Sequence, residues 1–470
     1  MQSTWGTQYS DIGYGVAIDP TGTIFVAGKT FGDSSLFSAF VLLLAYDSSG
    51  TLKWQRTWRN GTGINEGEGI AADPSSGSLY LTGVTAYTGF DYPHGFLVKF
   101  DSSGNLIWQK NWAETIGSAV ALDPSGYIYV MGLGGSVQSV SLMKFDSLGN
   151  VIWARMWGGN AGITHFGQGI AIDSSGDIYI TGYTTSFGAG DRDVFLVKFS
   201  SSGSLLWQRT WGGQGSDAGA GVALDSAGNL YVAGGTGSLG TGSTYPFLLK
   251  IDPSGNLSWQ KVWVGDGDSC CQGVAVDPSG NIYVEGRTNP SGGRSRVLLL
   301  RFDSSGGLIW QTTWGGSLAD IGQNGVNGIA VDPAGDAVLT GQVAEPPPYT
   351  LVSPGTSTLE TPSFILGTPS GTVGTPSVTV ANLQGVTSTP VGTTTYAGNG
   401  DVYLTIISNS PAPPTSNPPW TIFGVDPAIF YGIVAGATVL AGISLAAVVV
   451  RRRKNMAASV RTVGLILQRG

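Results

Sequence analysis

Cysteine, histidine and charged residues are scarce in this chain of 470 residues. Its two cysteines exclude a disulfide-rich scaffold and a cysteine-based zinc module, and its two histidines leave little for a histidine-rich metal site. Charged residues make up 11% of the chain, against ~25% in typical soluble proteins. Glycine contributes 74 residues, about twice its usual share of ~7%. This composition excludes a coiled coil, a charged disordered protein and a standard helical enzyme.

The net charge of −8 is unevenly distributed along the chain. Six basic residues and no acidic residue follow residue 427, so the first 427 residues carry 17 basic and 31 acidic side chains. A surface this acidic repels phosphate backbones, so nucleic-acid binding is not expected.

The C-terminal region has the pattern of a membrane anchor. The uncharged run from Ala428 to Val450 is long enough to cross ~30 Å of hydrocarbon as a helix. Basic residues 451–454 follow, and the positive-inside rule places this end in the cytoplasm and the rest of the chain outside the cell. Gly432 and Gly436 form a GxxxG pair, which is consistent with a weak homodimer of two such helices.

The segments around this run complete a predicted single-pass topology. Residues 409–427 are rich in proline and are expected to form a semi-rigid stalk. Residues 451–470 are expected to form a basic cytoplasmic tail. The chain opens without a recognisable signal peptide, so export either depends on the C-terminal helix or the true start lies in a longer gene.

Tryptophan reveals a repeat. Twelve of the 14 tryptophans form pairs spaced by four, and the second members, with Trp5 in front, recur every 45–54 residues. A period near 50 residues predicts a repeat architecture. Tryptophans spaced by four lie on one face of a strand, so we expect them to pack between repeats rather than against a ligand. The pairs are Trp54/Trp58, Trp108/Trp112, Trp153/Trp157, Trp207/Trp211, Trp259/Trp263 and Trp310/Trp314.

Each repeat has the pattern of one propeller blade. The unit at 167–211 contains four short strand-like stretches, with Asp-x-x-Gly or similar turns between them. Four strands per ~50 residues predict a β-propeller blade. The first turn occurs seven times, so residues 1–408 are predicted to form an all-β, seven-bladed propeller with four-stranded blades. These turns begin at Asp19, Asp73, Asp123, Asp173, Asp225, Asp277 and Asp332.

The seventh blade is predicted to combine both ends of this region. Residues 398–404 resemble residues 190–196, which belong to the third strand of an earlier unit. Residues 1–6 match the tryptophan-bearing fourth strand and are expected to close blade seven, which would remove an open sheet edge. The insertion at 343–397 is rich in Pro, Thr, Ser and Gly. We expect a small β-rich excursion on one propeller face or a partly disordered loop.

These repeats resemble the SBBP family, the seven-bladed β-propeller repeat of bacterial and archaeal envelope proteins. Their D-P-S-G-N-I-Y-V-x-G core, at 277–286, is also similar to the NHL repeat. The resemblance covers residues 1–342 and 398–408 and is specific for fold. It implies an envelope location and binding rather than catalysis.

Positions that differ between repeats are candidates for ligand binding, because scaffold residues recur. One such position is the middle of the G-x-T motif after the second strand, and another lies just before the first strand. The innermost strand of a propeller blade borders the central channel, so these positions are expected to ring one mouth of it. Solvated loop ends are the alternative. The predicted ligand-binding residues are Tyr14, Lys29, Glu68, Gln168, Tyr183, Gln272, Glu285, Arg287 and Asn327.

No catalytic residue, cofactor or metal site is predicted. Each turn aspartate offers one carboxylate, whereas calcium takes six to eight oxygens, so turn capping is the better interpretation. The denser segments 191–193 and 266–268 do not continue into a full calcium loop. Cys270 and Cys271 are interpreted as buried thiols, with a vicinal disulfide as the alternative. His94 and His165 belong to no GxSxG or HExxH motif and are interpreted as structural.

The sequence therefore predicts a membrane-anchored, cell-surface propeller that binds envelope proteins or glycans without catalysis. One alternative is an extracellular lyase or glycan hydrolase, which would require Glu68, Glu285 or His165 to converge in one pocket. A second alternative is an assembly subunit of a surface layer, which would require regular self-association. The ligand, the true N-terminus and the oligomeric state are left open by the sequence.

Overall fold

The computed structural model describes residues 2–408, except 8, 32–37, 62, 87–92, 135–138, 159–163, 266, 290–295, 315–327, 344–357, 361–372, 375–379, 383–388 and 391–400. All regular secondary structure in the described part is β-strand. None of its elements is a helix long and apolar enough to cross a membrane. The predicted stalk, membrane span and tail, at 409–470, lie outside the described residues.

Strand β1 (Gln2–Trp5) is followed by six four-stranded antiparallel blades with consecutive strands as neighbours. Blade one contains β2 (Asp11–Ile18), β3 (Ile24–Phe31), β4 (Ala39–Tyr46) and β5 (Leu52–Trp58). Blade two contains β6 (Ile64–Ala72), β7 (Leu79–Ala86), β8 (His94–Phe100) and β9 (Leu106–Trp112). Blade three contains β10 (Ala119–Leu122), β11 (Ile128–Gly134), β12 (Ser139–Phe145) and β13 (Val151–Trp157).

The next three blades repeat this arrangement. Blade four contains β14 (His165–Ile172), β15 (Ile178–Thr184), β16 (Asp193–Phe199) and β17 (Leu205–Trp211). Blade five contains β18 (Asp217–Leu224), β19 (Leu230–Thr236), β20 (Tyr245–Ile251) and β21 (Leu257–Val264). Blade six contains β22 (Asp268–Val276), β23 (Ile282–Asn289), β24 (Arg296–Phe302) and β25 (Leu308–Trp314).

Blade seven begins with β26 (Ile329–Val331) and β27 (Ala337–Val343), after which the chain leaves the blade. Four short strands follow, and they pair with the outermost strands of blades five, three, two and one, in that order. The described strands of the insertion therefore lie at the outer edges of four blades. An outermost strand has unpaired backbone N–H and C=O groups, which favours this pairing. These strands are β28 (Thr358–Glu360), β29 (Val373–Gly374), β30 (Val380–Asn382) and β31 (Thr389–Pro390).

Strand β32 (Asp401–Ile407) pairs with β27 on one side and with β1 on the other, so blade seven contains both ends of the described chain. Trp5 lies opposite Val402. The first strands of successive blades contact one another, and β26 also contacts β2. The seven blades thus form a closed ring, which confirms the predicted all-β, seven-bladed propeller with four-stranded blades.

The described core consists of seven apolar clusters, each formed between neighbouring blades. Each cluster contains Trp5 or the second tryptophan of a pair, which confirms the predicted packing role. Several of these indoles also reach the next blade through a hydrogen bond, as Trp157 Nε1 does to Gln208 Oε1 at 2.8 Å.

The turn aspartates cap their turns. Oδ1 of Asp19 accepts hydrogen bonds from the backbone N–H groups of Thr21 and Thr23, both at 2.9 Å. Gly22 adopts a φ of 82°, which an L-residue rarely adopts, and its N–H donates to the carbonyl of Asp19. Backbone donors therefore occupy this carboxylate oxygen, in agreement with the turn-capping interpretation.

Candidate functional site

A β-bulge marks the variable position of the first strand. The register with the second strand shifts at this position in blades one, two, four, five and six. In blade four the bulge brings the carbonyl of Phe166 against Gly182, where any Cβ would clash with that oxygen. The glycine of the G-x-T motif is thus required by close backbone approach. The residues at the five bulges are Tyr14, Glu68, Gln168, Ala220 and Gln272.

Blades one and two bring three of the predicted residues together in a group that we call the inner cluster: Tyr14, Lys29, Glu66, Glu68 and Ser118. Lys29 Nζ lies 2.7 Å from Glu66 Oε1 and 5.6 Å from the centre of the Tyr14 ring. Glu68 lies near Ser118 and within electrostatic range of Tyr14, Lys29 and Glu66. The Lys29 and Glu66 side chains are 15% and 21% exposed, so a ligand can reach this ion pair from solvent.

The surroundings within the inner cluster raise the pKa values of Glu68 and Tyr14. Removal from water raises the pKa of Glu68 to about 7, and repulsion from Glu66 acts in the same direction. The nearby Ser118 hydroxyl and the charge of Lys29 offset part of this increase. Burial, followed by the charges of Glu66 and Glu68, raises the pKa of Tyr14 well above its ordinary value. Glu68 is therefore a carboxyl group that exchanges a proton near neutral pH.

Sequence reasoning missed Glu66 and Ser118. A signal for Glu66 was present, because the equivalent position in the neighbouring units is apolar, as at Ile12, Ile116 and Phe166. Ser118 lies at the same variable position before the first strand as Tyr14 and Glu68, but it was not among the residues selected. Its role depends on the approach of blade three to blade two.

The predicted residues of blade four form a separate group. Tyr183 stacks on Phe166, with ring centres 5.7 Å apart and planes inclined by 16°. The guanidinium of Arg192 lies 4.6 Å from the centre of the Tyr183 ring. Gln168 occupies the bulge beside this stack. These three aromatic and cationic groups form a partly exposed platform, distinct from the inner cluster.

Blade six holds three further predicted residues. Glu285 is 1% exposed, and its Oε1 has no hydrogen-bond partner among the described residues. Burial raises the pKa of Glu285 to about 8. Arg287 hydrogen-bonds to Cys270, and Gln272 occupies the bulge. Asn327 lies outside the described residues.

The two cysteines are free thiols on successive positions of β22. Cys271 is buried in the cluster between blades five and six, whereas Cys270 is partly exposed. Successive side chains of a strand point to opposite faces, which separates the two thiols. Burial raises the pKa of both.

His165 is a buried core residue. Its Nδ1 lies 3.0 Å from Thr184 Oγ1, its Nε2 lies 3.2 Å from Ser186 Oγ, and its ring packs against Trp157. Burial lowers its pKa, which favours the neutral form. Glu68, His165 and Glu285 belong to blades two, four and six.

A cavity of about 480 Å³ lies where the first strands end. The Asp-Pro and Asp-Ser turns of blades one, two, five, six and seven line it, together with aliphatic residues such as Ile18 and Val276. None of the eight predicted ligand-binding residues that the structure describes lines this cavity. Among the described residues, no group of three or more His, Cys, Asp or Glu side chains converges as a metal site would.

Comparisons with known proteins address the repeat. Residues 152–188 match the family model described as a beta-propeller repeat, SBBP. A stretch of 132 residues is 28% identical to the regulatory protein FlaEY of Caulobacter vibrioides, covering 23% of this chain and 14% of that protein. The match thus spans a small part of that relative.

Several solved structures are similar at low identity. A protein of unknown function from Dyadobacter fermentans has a TM-score of 0.45 at 10% identity, covering 63% of this chain and 96% of its own. A periplasmic gluconolactonase of Pseudomonas aeruginosa has a TM-score of 0.43 at 15% identity, covering 73% and 88%. At these values the similarities carry no information about activity. The chain therefore contains an SBBP-type β-propeller repeat within a seven-bladed propeller.

Proposed function

We propose that this chain is a membrane-anchored, cell-surface propeller that binds an envelope protein or glycan at the inner cluster. The observation that carries this proposal is the accessible pair of Lys29 and Glu66, set beside Tyr14 and Glu68 on strands at the centre of the ring. Other blades carry apolar or neutral residues at most of the equivalent positions. A partly exposed ion pair can exchange one partner for a polar ligand at small cost, because such pairs contribute only ~0–1 kcal/mol.

The anchoring part of the proposal rests on the sequence. The uncharged run at 428–450, the basic run after it and the proline-rich segment before it support a tether with the propeller outside the cell. Protease treatment of intact cells tests this topology by mass spectrometry. We expect release of peptides from residues 1–420 and protection of residues 451–470. Protection of the whole chain in intact cells, with cleavage after lysis, would place the propeller in the cytosol.

The binding part is tested with the full chain in detergent and with separated envelope fractions, one of polysaccharide and one of protein. We expect Lys29→Ala to weaken binding to one fraction by about tenfold, since one charge-assisted hydrogen bond contributes about 1.5–3 kcal/mol. Lys250→Ala is the matched control, because Lys250 Nζ also lies over a tyrosine ring, at 5.2 Å from the Tyr231 centre, but in blade five. Equal effects of the two substitutions would exclude the inner cluster as the binding site.

A second candidate function is an extracellular glycan lyase or hydrolase centred on Glu68. It is favoured by the pKa of Glu68 near 7, which suits a general acid or base at neutral pH. The full chain is incubated with uronate-containing polysaccharides, and both unsaturated products and new reducing ends are measured. Catalysis requires product from the natural chain and its loss in Glu68→Gln. Binding without either product supports the first proposal.

A further inference from the structure

Two buried carboxylates lie side by side between blades four and five. Asp193 begins β16 and Asp217 begins β18, and they are 1% and 0% exposed. Oδ1 of Asp193 and Oδ2 of Asp217 both approach the position that a Cβ on Gly212 would occupy, the latter at 2.5 Å. Glycine at residue 212 thus leaves the space in which the two carboxylates meet. This part of the chain is described without a gap from residue 164 to 265.

Neutral donors leave one oxygen of this pair without a partner. Oδ2 of Asp193 accepts a hydrogen bond from Gly190 N at 3.1 Å. Oδ2 of Asp217 accepts hydrogen bonds from Gly213 N at 2.8 Å and Ser238 Oγ at 2.7 Å. Oδ1 of Asp217 is buried and has no hydrogen-bond partner, and none of the ion pairs among the described residues includes either aspartate. Burial, with the charge of Asp217 acting in the same direction, raises the pKa of Asp193. A buried carboxylate in this state is costly unless a positive group compensates it.

In blade two the residue equivalent to Asp217 is Asn65, and both polar atoms of its side chain have hydrogen-bond partners. Asn65 and Asp217 both lie two residues before the glycine that precedes the bulge. Oδ1 of Asn65 accepts from Asn60 N at 2.9 Å, and its Nδ2 donates to the carbonyls of Ala39 and Gly63 at 3.1 and 3.0 Å. Asp217 has a carboxylate in place of this amide, so it has no nitrogen that can donate. Its buried Oδ1 has no hydrogen-bond partner.

We propose that Asp193, Asp217 and carbonyl oxygens of the 212–216 turn bind a calcium ion. The carbonyls of Gly213 and Gly215 both approach Gly190, whose N–H donates to Asp193 Oδ2 at 3.1 Å. Calcium takes six to eight oxygens from carboxylates, carbonyls and water at about 2.3–2.6 Å. The donor set contains only oxygen, which favours a hard cation over zinc or copper.

The test uses the full chain in detergent, stripped with EDTA and titrated with calcium chloride by calorimetry, with thermal unfolding measured in parallel. We expect one calcium ion per chain and a higher Tm in calcium. Asp217→Asn, which copies Asn65, should abolish this binding. Asp191→Asn is the matched control, because it removes the same charge from an exposed residue two positions before Asp193 and should still bind one ion.

Three results would overturn the proposal. The first is the absence of binding heat together with equal Tm values in EDTA and calcium. The second is unchanged calcium binding by Asp217→Asn. The third is a Tm that responds to pH but not to calcium, which would mean that a proton satisfies the pair. If Asp217→Asn fails to fold, Asp193→Asn provides the same test of stoichiometry.

Discussion

The hydrogen bonds between indoles and amides of neighbouring blades allow a quantitative test of ring cohesion. The second tryptophan of a pair donates to a glutamine on the outermost strand of the next blade in four described cases, at 2.6–2.8 Å, and Trp5 contacts Gln55 in the same way. We choose Gln208→Ala as the perturbation. It removes the acceptor of Trp157, whose side chain is 1% exposed.

The expected loss follows from the desolvated indole N–H. A buried donor left without an acceptor costs about 1–3 kcal/mol, so Gln208→Ala should lower the free energy of unfolding by about that amount. Urea denaturation of the full chain in detergent, followed by tryptophan fluorescence, measures this difference. A double-mutant cycle with Trp157→Phe isolates the pair, and we expect a coupling energy of about 1 kcal/mol.

Blade three provides a natural comparison. Ala154 stands where the other blades have this glutamine, and the buried Nε1 of Trp112 has no hydrogen-bond partner. Ser141 of blade three stands where blade four has Phe195, and Trp112 lies 5.7 Å from Phe145 between ring centres. Ala154→Gln should therefore increase stability by about 1 kcal/mol if the ring turns to meet the new amide.

The reasoning would be refuted by a coupling energy near zero between residues 157 and 208. It would also be refuted if Gln208→Ala changed the free energy of unfolding by less than about 0.3–0.5 kcal/mol, the usual error of additivity. Either result would mean that apolar burial alone holds neighbouring blades together.

Two further predictions concern a buried charge and the insertion. The pKa of Glu285 is raised from 4.5 to about 8, so its contribution to stability is fully present below pH 4.5 and is lost as pH rises to about 8. Glu285→Gln should consequently raise the Tm relative to the natural chain at pH 8.5 but not at pH 5, and an equal difference at both values would contradict this. Val343 and Asp401 are paired neighbours, so a short turn can replace residues 344–400. This deletion should leave the ring folded but expose outer strands such as β5 and β9, and light scattering should detect self-association, whereas a monomer would show that these edges need no cover.

The blade pattern was readable from the sequence because each repeat encodes its own local structure. Asp-x-x-Gly turns and alternating apolar residues specify four strands without reference to other repeats. The tryptophan spacing placed both rings on one strand face, and the packing of Trp58 and Trp157 between blades agrees with that inference. Seven copies of one turn were enough to count the blades.

The candidate site was only partly predictable. Tyr14, Lys29 and Glu68 were selected because they vary between repeats, but Gln168, Gln272 and Arg287 vary equally and lie in other blades. Variation identifies a position that the scaffold does not constrain. It does not say which free positions face each other across a blade boundary.

The sequence by itself determined the fold class, the number of blades and the residues that build the turns, because these depend on contacts within about 50 residues. Only the tertiary structure decided that Glu66 pairs with Lys29, that Asp193 meets Asp217, and that the described strands of the insertion lie at the outer edges of four blades. Each of these contacts joins different repeats. Their geometry is set by closure of the ring, which no single repeat encodes.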